Sequence, residues 1–118
     1  MDYETLSRLV VDALEDIKAI DIRVIDVRGK TTITDAMIIA SGNTNRQVKA
    51  LADSVIEACK KAGVNILGVE GTAAAEWALI DLGDVLVHIM QPAVRDFYNI
   101  EKLWGEDSPN RMSEANGE

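Results

Sequence analysis

Apolar residues recur at helical spacing from the start of the chain. Leu6, Leu9, Val10, Ala13, Leu14 and Ile17 fall three or four apart, one stripe on an otherwise acidic helix. From Asp21 to Val27 the period changes to two. Ile22 and Val24 point one way and Ile25 and Val27 the other, which reads as a strand partly covered on both faces. Arg28-Gly29-Lys30 is a turn, and Ala36 to Ala40 a short buried strand. Ser41-Gly42-Asn43-Thr44-Asn45 gathers turn and N-cap formers ahead of a second helix, Arg46 to Ala62, with Val48, Leu51, Ala52, Val55, Ile56 and Cys59 on one face. Gly63 stands where a left-handed C-terminal cap belongs. Val64 to Val69 reads as a third strand, broken by Glu70-Gly71-Thr72, and Glu76 to Ile80 with Val85 to Met90 as a hairpin. Pro92 ends that hairpin. A last helix, Val94 to Trp104, turns Phe97, Ile100, Leu103 and Trp104 towards one side, most simply into the core, with Tyr98 off the stripe. The order α-β-β-α-β-β-β-α implies an α/β fold with a mixed sheet of about five strands and helices packed on it.

The hairpin carries the most information. With Leu82-Gly83 as a two-residue loop, Trp77 opposes His88 and Leu79 opposes Leu86. Alternation then places Ala78, Ile80, Val85, Val87 and Ile89 on a face suited to packing under helices. The opposite face holds Ala75, Trp77, Leu79, Leu86, His88 and Met90, edged by Asp81 and Asp84. An apolar patch with an aromatic anchor and an acidic rim marks a protein-binding surface. A bulge at Gly83 would instead set Glu76 opposite His88 and change the faces. The competing reading has both faces covered by the chain's own helices.

Length and composition bound the possibilities. At 118 residues and 47% hydrophobic, the chain suits one domain with a single core, residues 1–104, followed by a polar tail over 105–118 that reads as disordered. No stretch approaches the roughly 18 apolar residues of a membrane span, and the acidic start is unlike a secretory signal. One cysteine allows no intramolecular disulfide, so a reducing, cytoplasmic setting is expected. The net charge is -8, and no Lys or Arg occurs from Ala62 to Val94, where Glu70, Glu76, Asp81 and Asp84 fall. Such a surface repels phosphate backbones, so direct nucleic-acid binding is not expected; a basic protein partner suits it better.

Little of the sequence points to catalysis. Cys59 lies in an apolar stripe with nothing near to lower its pKa, and reads as core. Ser41-Gly42 between strand and helix could hold an anion, as the Gly-Ser turn of nucleotidyl transferases does. The order here is reversed, and Asp81 and Asp84 bracket a turn instead of sharing one rigid strand, so a capping loop is the simpler reading. His88, the single histidine, lacks the Cys or His neighbours of a zinc site and stands open between a hydrogen-bonded sheet residue and an interface residue.

Taken together, the chain resembles the Iojap-like ribosomal silencing factor family. The resemblance is carried by Val24-Ile25-Asp26-Val27-Arg28, Thr34-Asp35, Ile38 to Gly42, Arg46-Gln47-Val48, Glu70-Gly71, Glu76-Trp77, Leu79-Ile80-Asp81, Gly83-Asp84-Val85, His88-Ile89-Met90, and Arg95 with Phe97-Tyr98 and Leu103-Trp104. It runs from the first helix to Trp104. It implies a fold similar to nucleotidyl transferases without their catalytic acids, no enzymatic activity and no cofactor. It further implies a translation factor that binds a basic protein of the large ribosomal subunit and blocks joining of the small subunit. The partner surface expected on this basis is Trp77, Asp81, His88, Met90 and Tyr98, with Glu70 nearby. Two other classes stay in view: a metal-dependent nucleotidyl transferase acting through Asp81 or Asp84, and a module that buries the Trp77 face in a homodimer.

Overall fold

Each long helix starts at a side-chain cap. In the computed structural model, which describes residues 1–105, the Asp2 carboxylate accepts from the Thr5 N–H at 2.8 Å and α1 runs over Tyr3–Asp16. The Thr44 hydroxyl accepts from the Gln47 N–H at 3.0 Å and starts α2, Asn45–Lys61. The strands are β1 (Ile20–Asp26), β2 (Ala36–Ser41), β3 (Gly68–Glu70), β4 (Trp77–Asp81) and β5 (Val85–Met90), and two short helices follow, α3 (Pro92–Tyr98) and α4 (Ile100–Trp104). The sheet order is β1-β2-β5-β4-β3, with β2 and β5 parallel and every other pair antiparallel. The α/β class and the mixed five-stranded sheet expected from the sequence are present.

One face of the sheet lies under α1 and α2. Leu6, Val10 and Leu14 of α1 and Val48, Leu51, Val55 and Cys59 of α2 pack on Ile38, Ile80, Val87 and Ile89. β2 sits between neighbours with both its faces covered, and all six of its residues are buried. The other face holds a smaller cluster of Val27, Met37, Ile39 and Met90, reached by half-buried Trp77, Leu86, Val94, Ile100 and Trp104. Lys30 donates from Nζ to the carbonyls of Trp104 and Gly105, at 2.8 Å each, and ties the end of α4 to the turn after β1.

Four expectations change. The third strand is Gly68–Glu70, not Val64 to Val69. Gly63, at φ 74°, and Val64 close a Schellman cap on α2, their N–H groups bonded to the carbonyls of Lys60 and Cys59, so the chain reaches the sheet only where the Leu67 N–H meets the Asp81 carbonyl at 2.8 Å. The hairpin loop is Gly83-Asp84, flanked by a bond from the Leu82 N–H to the Val85 carbonyl, so Trp77 opposes Met90 and Leu79 opposes His88. Gly83 at φ 84° supplies the backbone that the first position of such a tight turn requires, and no bulge is needed. The shift relative to the expected pairing is two residues, which preserves every side chain's face. Ala75 is an exception: at φ 58° it turns to the α1–α2 side and is buried there.

The fourth change concerns the last helix. Asn99, at φ 47° and ψ 50°, breaks it into α3 and α4. The stripe through Phe97, Ile100 and Leu103 is therefore not one face. Phe97 is 80% and Leu103 55% exposed, while Ile100 and Trp104 reach the core side, half-buried. The disordered tail expected over 105–118 lies, beyond Gly105, outside the described residues.

Candidate docking face

The face away from α1 and α2 is built on the start of β4. Gly71, at φ 81°, brings its backbone against the Trp77 carbonyl so closely that a Cβ there would sit 2.0 Å from that oxygen. Trp77 projects from the first position of β4 and leans diagonally to His88 on β5. Its indole Nε1–H donates to His88 Nδ1 at 3.0 Å, with ring centroids 5.9 Å apart. Tyr98, from the end of α3, packs on the indole at 4.9 Å between centroids, and Phe97 meets Tyr98 edge-on at 5.0 Å. Trp77, Leu79 and Leu86 are half-buried, and Tyr98 is 56% exposed, so the chain's own helices cover this face only in part.

The residues expected to meet a partner take different places. Trp77 and Tyr98 lie together on the half-open face. Glu70, exposed at the end of β3, is paired across the strands with Leu79 and so shares that face. Asp81 is half-buried, and its Oδ1 accepts from the Gly83 N–H at 2.9 Å, which commits the carboxylate to the hairpin turn. His88 is buried, and burial lowers its pKa to about 4, so at neutral pH it is an uncharged acceptor for the indole. Of its two open readings, the hydrogen-bonded sheet residue is the one this geometry describes. Met90 is fully buried in the smaller cluster, so it supports the face from beneath and presents no surface of its own.

Ser41 neither caps α2 nor frees its hydroxyl for an anion. Its Oγ receives a hydrogen bond from Arg95 Nη1 at 2.9 Å, while Thr44 does the capping. Asp84 is exposed at the turn, and among the described residues no group of three or more His, Cys, Asp or Glu is arranged to hold a metal. Cys59 is buried, and burial raises its thiol pKa, as a core cysteine's should.

Nothing in the residue pattern marks Arg95, Glu101 and Phe97 as parts of one structure. Arg95 is buried and grips Glu101 six positions later, a spacing that no helical i,i+3 or i,i+4 rule selects. Only the break at Asn99 brings the two together.

The sequence matches the family described as "Ribosomal silencing factor during starvation" over residues 1–118. The chain belongs to the ribosomal silencing factor family. The silencing factor RsfS of Chromobacterium violaceum is 52% identical over 110 residues, spanning 93% of this chain and 90% of that protein. A crystal structure of a protein from the same organism superposes with a TM-score of 0.88 at 52% identity, covering 90% of this silencing factor and 89% of that chain. A mouse relative named "Mitochondrial assembly of ribosomal large subunit protein 1" is 31% identical over 99 residues, 81% of this silencing factor but 43% of the mouse protein. Among the described residues of this silencing factor, no helix is long and apolar enough to cross a membrane.

Proposed function

We propose that this silencing factor represses translation in the cytoplasm, without catalysis or cofactor, by docking on a basic protein of the large ribosomal subunit and standing in the way of the small subunit. Residues 1–104 form the acting domain. The observation that carries the reading is the half-open aromatic face: Trp77 backed by His88, flanked by Tyr98, with Glu70 on the same face. A large half-buried aromatic with its polar edge already satisfied is the kind of anchor that contributes most to a protein interface. The nearby acids have no Lys or Arg from Ala62 to Val94 to answer them, which favours a cationic partner and disfavours nucleic acid. The family's description supports the ribosome as the target, and the mouse relative's name supports the choice of the large subunit.

The test is co-sedimentation with purified large subunits, with and without small subunits. Binding to large subunits alone, and fewer joined ribosomes as the factor is added, is the expected result. Alanine at Trp77 in a folded chain should abolish it; retention of binding would refute this face as the docking site. Light scattering on the free chain reports whether a second copy occupies the same face, which large subunits would then compete away.

A further inference from the structure

The bend between α3 and α4 is held from inside by charge. Both helices are short, seven and five residues, and each is too short to stand by itself. Val94, Ile100 and Trp104, all half-buried, pack them on the smaller cluster of the sheet. Across the bend reaches Arg95, its side chain 6% exposed. Its Nε donates to Glu101 Oε2 at 2.6 Å and its Nη2 to Glu101 Oε1 at 3.2 Å, two roughly parallel bonds from one guanidinium to one carboxylate. Its Nη1 donates to Ser41 Oγ, Asp21 lies 3.5 Å from Nη2, and Arg23 approaches Glu101 from the solvent side at 3.5 Å. The guanidinium beside it holds the Glu101 carboxyl below its ordinary pKa, so the carboxylate is ionised at neutral pH.

A buried ion pair is a poor source of stability, because desolvation offsets the attraction, and apolar side chains of similar volume often serve as well. Its geometric content is high. A planar fork on a carboxylate fixes both separation and angle, which a flexible ammonium or a methyl contact does not. What that geometry fixes here is the outer side of the bend, where Tyr98 rests on Trp77 and Phe97 stands out from the surface.

We infer that Arg95 is a positioning residue for docking: through its buried fork on Glu101 it sets the α3–α4 bend so that Tyr98 stays against Trp77 and Phe97 faces the ribosomal partner. This rests on the docking function proposed above. Pre-setting these rings before encounter spares the ordering cost of binding, so the pair acts on affinity more than on folding.

The experiment compares the unaltered chain with the triple variant Ser41→Ala/Arg95→Met/Glu101→Leu, which removes the network without orphaning the Ser41 hydroxyl. Three readouts are taken: the thermal midpoint, the Tyr98 ring-proton shifts (moved by the Trp77 ring current), and co-sedimentation with purified large subunits. The inference expects a midpoint within about 5 °C of the unaltered chain, Tyr98 shifts moved towards those of a free tyrosine, and binding weakened about tenfold or more. Arg95→Lys, which keeps the charge and loses the fork, falls between the two. A folded triple variant that binds like the unaltered chain overturns the inference. If the triple variant does not fold, Glu101→Gln decides by the same readouts: unchanged shifts and binding overturn it, and weakened binding with a preserved midpoint supports it. Trp77→Ala separates the two claims. Loss of binding there, with normal binding by the folded triple variant, leaves docking standing and removes Arg95's role; an unaltered chain that ignores large subunits removes both.

Discussion

Trp77 and His88 are joined by a hydrogen bond from the indole Nε1–H to Nδ1 at 3.0 Å, although neither is the other's cross-strand partner: Trp77 faces Met90 and Leu79 faces His88. The bond fixes the histidine's tautomer, since an acceptor at Nδ1 leaves the proton on Nε2. It also ties an anchor at the start of β4 to the middle of β5. Replacing Trp77 by Phe keeps an aromatic ring and removes the donor. The buried Nδ1 then lacks a partner, and urea denaturation should show a loss of about 1–2 kcal/mol.

His88 also makes stability depend on pH. Its pKa is about 4 in the fold because burial disfavours the charged ring, against 6.5 for a free histidine. The unfolded chain therefore takes up the proton first. Stability is unaffected by this group well above pH 6.5, declines as pH falls towards 4, and changes no further below that, by about 3 kcal/mol in all. Carboxylates add to the decline only at lower pH: Glu101 and Asp26 have lowered values, so each loses its contribution as pH falls through them. His88→Gln should flatten the urea midpoint between pH 6.5 and 5; an unchanged slope there would rule out the histidine as its source.

Two glycines with nearly the same φ should respond differently to alanine. Gly29 (φ 86°) has no atom within 4 Å of an added Cβ, whereas at Gly71 (φ 81°) that Cβ meets the Trp77 carbonyl at 2.0 Å. Gly29→Ala should cost about 1 kcal/mol, the backbone strain alone. Gly71→Ala should cost about 3 kcal/mol or more, because the start of β4 must move as well. Denaturation midpoints for the two variants check the difference, and Gly71→Ala should also weaken large-subunit binding by displacing Trp77.

Leu82 and Phe97 exchange the roles that the chain pattern suggests. Leu82 lies at the hairpin's end yet is buried with the α1–α2 cluster, and Phe97 lies in an apolar stripe yet is 80% exposed. Leu82→Ala should cost about 2–4 kcal/mol through the cavity it leaves. Phe97→Ala should stay within about 0.5 kcal/mol of the unaltered chain. Thermal denaturation of the pair distinguishes the two positions directly.

The hairpin shows what was legible. Alternation assigned Ala78, Ile80, Val87 and Ile89 to the helix-covered side and Trp77, Leu86, His88 and Met90 to the other, and those sides are correct although the pairing was two residues off. A period of two is unchanged by a shift of two, so faces survive an error that partners do not. The buried strand β2 and the stripe of α2 were equally plain, because each is a continuous local pattern. Trp77 and Tyr98 could be singled out as large aromatics off the core stripes, but their contact could not, since it joins β4 to the end of α3.

By itself the sequence determined the α/β class, the two sides of the sheet, the two long helices with the cap formers that bound the second, and the acidic character of the flank, all set by residues within a turn or a strand of one another. Only the tertiary structure decided that Asn99 would take left-handed backbone, that Arg95 would close on Glu101, that Phe97 would stand in solvent and that Met90 would not. The reason is physical. Local pattern fixes which way a side chain points, but whether it is covered depends on what the rest of the chain lays over it, and a single reversed φ between two short helices redirects every residue beyond it.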